Sequence, residues 1–175
     1  MTYIQTFSGA HFDLTDPQPD TILIEDIAHA LSQINRFTGH TNRPYSVAQH
    51  SLQASYIVPP QFALEALLHD AHEAYTGDVS APLKSLLPDY RALEDRIESA
   101  VRRRFGLPAA MSPEVKRADM IMLATERRDV LKDDGVPWPC LEGVEPARVL
   151  YYDGWESAAV RSAFIQRFVG LYYGD

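Results

Sequence analysis

Cys140 is the one cysteine in 175 residues, so no disulfide can close within the chain and stability has to come from packing. No apolar run approaches the roughly 18 residues that a membrane-spanning helix needs. The N-terminal stretch MTYIQTFSGAHFD has neither a basic start nor an apolar h-region; no export signal is read, and the cytoplasm is the expected location. Positive charge is scarce: 16 Lys and Arg stand against 24 Asp and Glu, a formal net charge of -8. General attraction to a nucleic acid polymer or an anionic membrane is therefore disfavoured. An anionic substrate would need a local positive site. Internal repeats and low-complexity segments are also missing. The 46% of apolar residues suffices for one ordinary core, and the length suits a single domain over residues 1–175.

The dominant period is helical. DTILIEDIAHALSQI from Asp20 puts Ile24, Ile27, Ala28, Leu31 and Ile34 on one stripe, with Asp20 as expected N-cap and Glu25 and Asp26 near the positive end of the dipole. RFTGHTNRP reads as a loop. SVAQHSLQASYIV then runs helically from a Ser46 cap until Pro59-Pro60 stops it. A helix restarting at Pro60 or Gln61 is expected to continue to Thr76-Gly77, where glycine serves as C-cap. DYRALEDRIESAVRRRFG places Tyr90, Leu93, Ile97 and Val101 inward, with Gly106 as terminator. Ser112-Pro113 opens a helix reaching about Leu131, residues 132–153 read as irregular, and WESAAVRSAFIQRFVGLYY closes the chain as an amphipathic helix. With at most a short strand pair in the first dozen residues, the fold class is all-α.

Four polar side chains interrupt these apolar stripes. His50 shares its face with Val47, Ala54 and Ile57; Asp119 sits with Val115, Ala118 and Met122; His69 and Asp70 follow Ala66, Leu67 and Leu68 without a polar break. A single core histidine is ordinarily a satisfied structural imidazole. An inward Asp119 is harder to accommodate, because an ionised carboxylate in a low-dielectric interior costs several kcal/mol unless it is paired or bound to a cation. One divalent ion would serve all four groups, and mixed imidazole and carboxylate donors suit Mn, Fe, Co, Ni or Zn. Periodicity alone leaves a set of buried His–Asp bonds as an equal alternative. Glu73 shifts the balance, since one turn after His69 it can reach the rim of the same site and handle the proton of an attacking water. Glu65, also one turn from His69, reads as part of a solvated face, as does the arginine run at 102–104.

His50, the pair His69-Asp70 and Asp119 resemble the H…HD…D signature of the HD-domain metal-dependent phosphohydrolases. INRF at 34–37, SVAQHSLQ at 46–53, LLHDAHEAYTGD at 67–78, APLK at 81–84 and VKRADMIML at 115–123 are similar to the bacterial 5′-deoxynucleotidase branch and its phage and prophage relatives. The start IQTFSGAHF and the segment TERRDVLKDDGVPWP look closest to the short prophage members, and the likeness covers residues 1 to about 145. The resemblance implies a compact HD-domain helical bundle holding one divalent ion (Co, Mn, Zn, Ni, Fe or Mg) on His50, His69, Asp70 and Asp119. It implies hydrolysis of a phosphate ester on a deoxynucleotide, with Glu73 moving the catalytic proton, Arg36 binding phosphate and Asp78 accepting from the sugar 3′-hydroxyl. Phe37 stands where the deoxynucleotidases have a tryptophan beside the sugar. His72 either touches substrate or hydrogen-bonds nearby. A homodimer or higher homo-oligomer is the family's habit.

Arg36, Lys84 and Lys116 are the candidate positive groups for the phosphate, though on sequence alone Lys84 and Lys116 read first as ordinary surface lysines. Arg43 has no assigned role. The leading activity is phosphate release from deoxynucleoside 5′-monophosphates. Its nearest rival is a deoxynucleoside triphosphate hydrolase (dATPase-like). The acidic pair that follows HD in alarmone hydrolases is absent, because Ala74 follows Glu73, and so is the GYP-like motif of the cyclic dinucleotide branch. A non-catalytic metal- or nucleotide-binding module is the reading from another class.

Overall fold

The helix α2, Val47–Ile57, is buried over nine consecutive residues from Val47 to Ser55, as expected of a helix with neighbours on every side. In the computed structural model, which describes residues 1–174, it packs against α1 (Ile24–Leu31), α3 (Ala63–Leu68), α7 (Pro113–Asp129) and α8 (Ser157–Tyr173). Two short helices, α4 (Glu73–Thr76) and α5 (Ala81–Lys84), and the longer α6 (Pro88–Arg104) complete the all-α architecture. An antiparallel pair, β1 (Tyr3–Gln5) and β2 (His11–Asp13), leads in with Ile4 opposite Phe12. Among the described residues, no helix is long and apolar enough to cross a membrane.

Local chemistry fixes where α2 begins. Ser46 accepts from the Gln49 backbone N–H, and the Gln49 side chain accepts from the Ser46 N–H at 2.7 Å, a reciprocal cap. The incoming loop is pinned to this end, since the Arg36 N–H donates to the Tyr45 carbonyl and the Val47 N–H to the Ile34 carbonyl. His50, one turn inside the cap, therefore has a fixed height and direction. The apolar stripes behave as their periods require: Ile27, Ala28, Leu31, Ile97, Val101, Val115 and Met122 are all buried.

Four expectations need correction. Asp20 does not cap α1; it lies in a 3₁₀ turn, Pro19–Thr21, closed by the Ile22 N–H on the Pro19 carbonyl, and α1 starts after Leu23. Burial of Ile22 in the core forces that turn before the helix. The helix expected from Pro60 to Thr76 is broken, because backbone bonds from Ala71 to Leu68 and from Glu73 to Asp70 tighten to i→i−3 spacing. The seventh helix ends at Asp129, two residues short of Leu131.

Glu65 and Arg102 are not solvated. Their side chains are 4% exposed each, with Arg102 Nη1 3.3 Å from Glu65 Oε1, and Glu65 also accepts from the Ser112 N–H at 2.9 Å and hydroxyl at 2.5 Å. A ring of polar partners from α3, α6 and the start of α7 thus replaces water around this carboxylate. Removing one partner leaves the other charge buried, so Glu65→Ala should lower unfolding free energy by about 3 kcal/mol or more in denaturant titration, whereas Glu65→Leu with Arg102→Met should cost less. Equal losses for the two would mean that shape, not charge pairing, governs this site.

Candidate metal centre

Three helices and one tightened turn aim polar atoms at a single point. His50 Nε2 on α2 stands 3.1 Å from His69 Nε2 and 3.2 Å from Asp119 Oδ1 on α7. Asp70 Oδ2 lies 3.2 Å from His69 Nε2 and 3.7 Å from His50 Nε2. One atom each from His50, His69 and Asp119 fall within 4.8 Å of one another. Donors about 2.1 Å from a metal ion stand about 3.0 Å apart in an octahedron and about 3.4 Å in a tetrahedron, so these spacings fit one ion.

The far sides of the two imidazoles sharpen the fit. His69 Nδ1 stands 2.7 Å from the Ala66 carbonyl, which can only accept, and His50 Nδ1 stands 2.6 Å from Glu126 Oε1. Both Nδ1 atoms therefore carry hydrogen, and the neutral rings would direct two Nε2 lone pairs at each other across 3.1 Å. Positive charge is needed between them. Without a cation it comes as protons: burial and Arg36 oppose protonation of His50, but Glu126 and Asp119 outweigh them and hold its pKa up to about 9. Burial likewise opposes ionisation of Asp70, yet His69, His50 and Arg36 keep it well below the usual carboxylate range.

Glu126 was not singled out by the sequence. It is fully buried, accepting from Arg36 Nε at 3.0 Å and lying 2.9 Å from the same guanidinium's Nη2, so one carboxylate positions both His50 and Arg36. Its signal was present: Glu126 lies two turns after Asp119 on the same stripe as Val115, Ala118 and Met122.

A cavity of about 480 Å³ opens over these groups. Its charged lining is Arg36, Asp70, Glu73, Asp78, Lys84 and Asp119, and Phe37, Leu123, Trp138 and Cys140 contribute apolar surface. Phe37 and Thr38 both adopt left-handed backbone, φ 55 and 53, a conformation costing non-glycine residues about 1–2 kcal/mol each. Glu73 is buried, its Oε2 has no hydrogen-bond partner, and burial with the nearby charges of Asp70 and Asp78 pushes its carboxyl well above the usual range. Asp78 is also raised, first by burial.

The remaining expected site residues are placed unevenly. Lys84 lines the cavity, but its ammonium lies 2.6 Å from Glu94 Oε1 and 3.8 Å from Glu73 Oε1, so it is already paired. His72 is not among the cavity-lining residues, and its Nε2 lies 3.5 Å from the same Glu94 oxygen. Lys116 is exposed and lies outside the cavity lining. Arg43 pairs with Asp153, with Nε 2.5 Å from Oδ1. A second acidic and imidazole group, His72, Glu73 and Glu94, is close enough to hold an ion, but the Lys84 ammonium already supplies its positive charge.

No family model matches the chain. Across 171 residues, 98% of this chain and 96% of the relative, it is 49% identical to the uncharacterized protein YfdR of Escherichia coli. An uncharacterized protein of Rhodobacter capsulatus is 44% identical over 121 residues, 63% of this chain and 62% of that protein. A 5′-deoxynucleotidase of Vibrio cholerae is 30% identical over 90 residues, 42% of this chain and 45% of that protein. The chain belongs to the family of YfdR.

Proposed function

We propose that this member of the YfdR family is a metal-dependent phosphohydrolase of the HD-domain type that releases phosphate from deoxynucleoside 5′-monophosphates. The observation that carries this reading is the convergence of His50, His69, Asp70 and Asp119, with both outer imidazole nitrogens already committed to acceptors. The likeness to the Vibrio cholerae protein named 5′-deoxynucleotidase supports the substrate class.

His50, His69, Asp70 and Asp119 would hold one divalent cation. Such an ion supplies Lewis acidity, neutralising phosphoryl charge and making water acidic enough to attack near neutral pH. Glu73, whose carboxyl is pushed above the usual range by burial and by Asp70 and Asp78, is placed to hold or pass on a proton at its unpartnered Oε2. Arg36 has Nε and Nη2 occupied by Glu126, so Nη1, 3.7 Å from Asp70, is the arm left to meet a phosphoryl oxygen. Lys84, shared between Glu73 and Glu94, adds less positive charge than a free ammonium.

Asp78 and Phe37 are assigned to the sugar. A charged acceptor lost from a substrate hydroxyl costs about 1.5 to 3 kcal/mol, so Asp78→Ala should lower kcat/KM for deoxynucleotides at least about tenfold. Phe37→Ala should mainly narrow the deoxy-to-ribo ratio, because an apolar wall discriminates by crowding and desolvating the 2′-hydroxyl. Matched deoxy and ribo kinetics on both variants check this; an Asp78→Ala protein that melts lower but keeps its kcat/KM would reassign Asp78 to the turn.

The reaction is tested by following phosphate, pyrophosphate and triphosphate release from mono- and triphosphates, ribo and deoxy, with Mn, Co, Mg and Zn in turn. Phosphate from deoxynucleoside monophosphates is expected. Triphosphate or pyrophosphate release from deoxynucleoside triphosphates alone would assign the rival activity, and no release from any substrate would assign a binding module.

A further inference from the structure

The charged lining of the cavity, together with Phe37, accounts for a phosphate and a sugar, and leaves Leu123, Trp138 and Cys140 without a role. Trp138 is the largest of these and is held with care. Prolines flank it on both sides, its backbone is extended at φ −95 and ψ 112, and its carbonyl accepts from the Leu141 N–H at 2.9 Å. The Arg127 guanidinium lies 4.8 Å from the indole centroid, and the same guanidinium donates to the Val136 carbonyl. An aromatic ring fixed in this way has little freedom left to lose when a ligand binds against it.

We propose that Trp138 is the platform on which the base of the nucleotide stacks, an inference that rests on the nucleotide reading above and extends it to the far end of the substrate. Phe37 is the other aromatic ring, but it does not complete a sandwich. Its centroid lies 6.5 Å from that of Trp138 with the planes 52° apart, while a base held between two parallel rings needs about 7 Å, two contacts of about 3.5 Å. The base therefore uses one ring. Phe37 is next to Arg36 in the chain, its ring centroid 5.4 Å from that guanidinium, which puts it at the sugar and phosphate end. Trp138, which lines the cavity and is backed by the Arg127 guanidinium, takes the base.

The chain has two tryptophans, so Trp155→Phe leaves Trp138 as the only indole reporter. In a Trp155→Phe, Glu73→Gln protein loaded with Zn or Mg, deoxyadenosine 5′-monophosphate should quench the emission saturably, and deoxyribose 5-phosphate, which lacks the base, should not. In kinetics, Trp138→Ala should lower kcat/KM for deoxyadenosine 5′-monophosphate about tenfold while changing that for deoxyribose 5-phosphate by less than about twofold, and Trp138→Phe should restore most of the loss. An indole that responds equally to both ligands or to neither, or a Trp138→Ala variant that loses both substrates equally, overturns the proposal. If the base-specific quench is seen but no form of the protein releases phosphate, the stacking stands and the hydrolase reading falls. Phosphate release without a base-specific quench has the opposite meaning.

Discussion

Replacing Glu73 by glutamine is expected to leave cation binding intact and to cut turnover by about 10²- to 10⁴-fold. The amide has the shape of the acid but cannot exchange its proton. Glu73 suits this role because it lines the cavity, is buried, and carries an oxygen with no partner among the described residues. The same substitution has a second, opposite effect. Glu73 is raised by burial first and then by Asp70 and Asp78, so above the ordinary glutamate pKa of about 4.3 the folded, cation-free protein binds more protons here than the unfolded chain does. Stability contributed at this position falls as pH rises through that window toward the folded pKa. Glutamine has no proton to lose. The cation-free Glu73→Gln protein should therefore gain melting temperature relative to wild type as pH is raised from about 4 to 7. Metal content, kcat and melting together check the assignment; a fall in turnover of less than about fivefold would place the proton elsewhere.

Asp119→Ala should abolish cation binding at concentrations that saturate the wild type. Loss of a partner behind a metal ligand costs about 10- to 100-fold in affinity, and loss of a ligand itself should exceed that. Asp119 is 35% exposed at its side chain and pairs with His50 Nε2 at 3.2 Å, so its removal should cost the cation-free fold that pairing and the loaded fold the ion as well. At a free cation concentration 100 times the dissociation constant, the wild type should gain about 2.7 kcal/mol of stability, and Asp119→Ala should gain almost none. Glu94→Gln is the control, because Glu94 belongs to the second acidic group and pairs with Lys84. It should keep the cation. A fully loaded Asp119→Ala protein, or loss of the ion in Glu94→Gln, would move the site to His72, Glu73 and Glu94.

The helices were legible where one face carries the apolar residues, as in the stripe of α1 and that of α7, and His50 and Asp119 stood out because they interrupt such stripes. Glu126 lies on the stripe of Asp119, but the partners that hold it inward, Arg36 and His50, stand 90 and 76 positions away in sequence, beyond what the period of one helix shows. Glu65 and Arg102 could not be read, because what buries them is a meeting of residues 37 positions apart in sequence, and periodicity describes only one element at a time. The tightened turn over residues 69–72 was hidden for a related reason: three weak helix formers, His69, Asp70 and His72, are common inside helices too, and low propensity does not announce that backbone bonds shorten to i→i−3. Trp138 lay in a stretch with no period at all. Only folding brings it to Phe37, 101 positions earlier, and gives the cavity its aromatic wall.

Anomalous diffraction from crystals grown with manganese, recorded near the metal's absorption edge, addresses the central claim at its atoms. One strong peak is predicted, bonded to His50 Nε2, His69 Nε2, Asp70 and Asp119 at about 2.0 to 2.2 Å. Absence of a peak there in saturated crystals, or a peak held by His72, Glu73 and Glu94 instead, would contradict it.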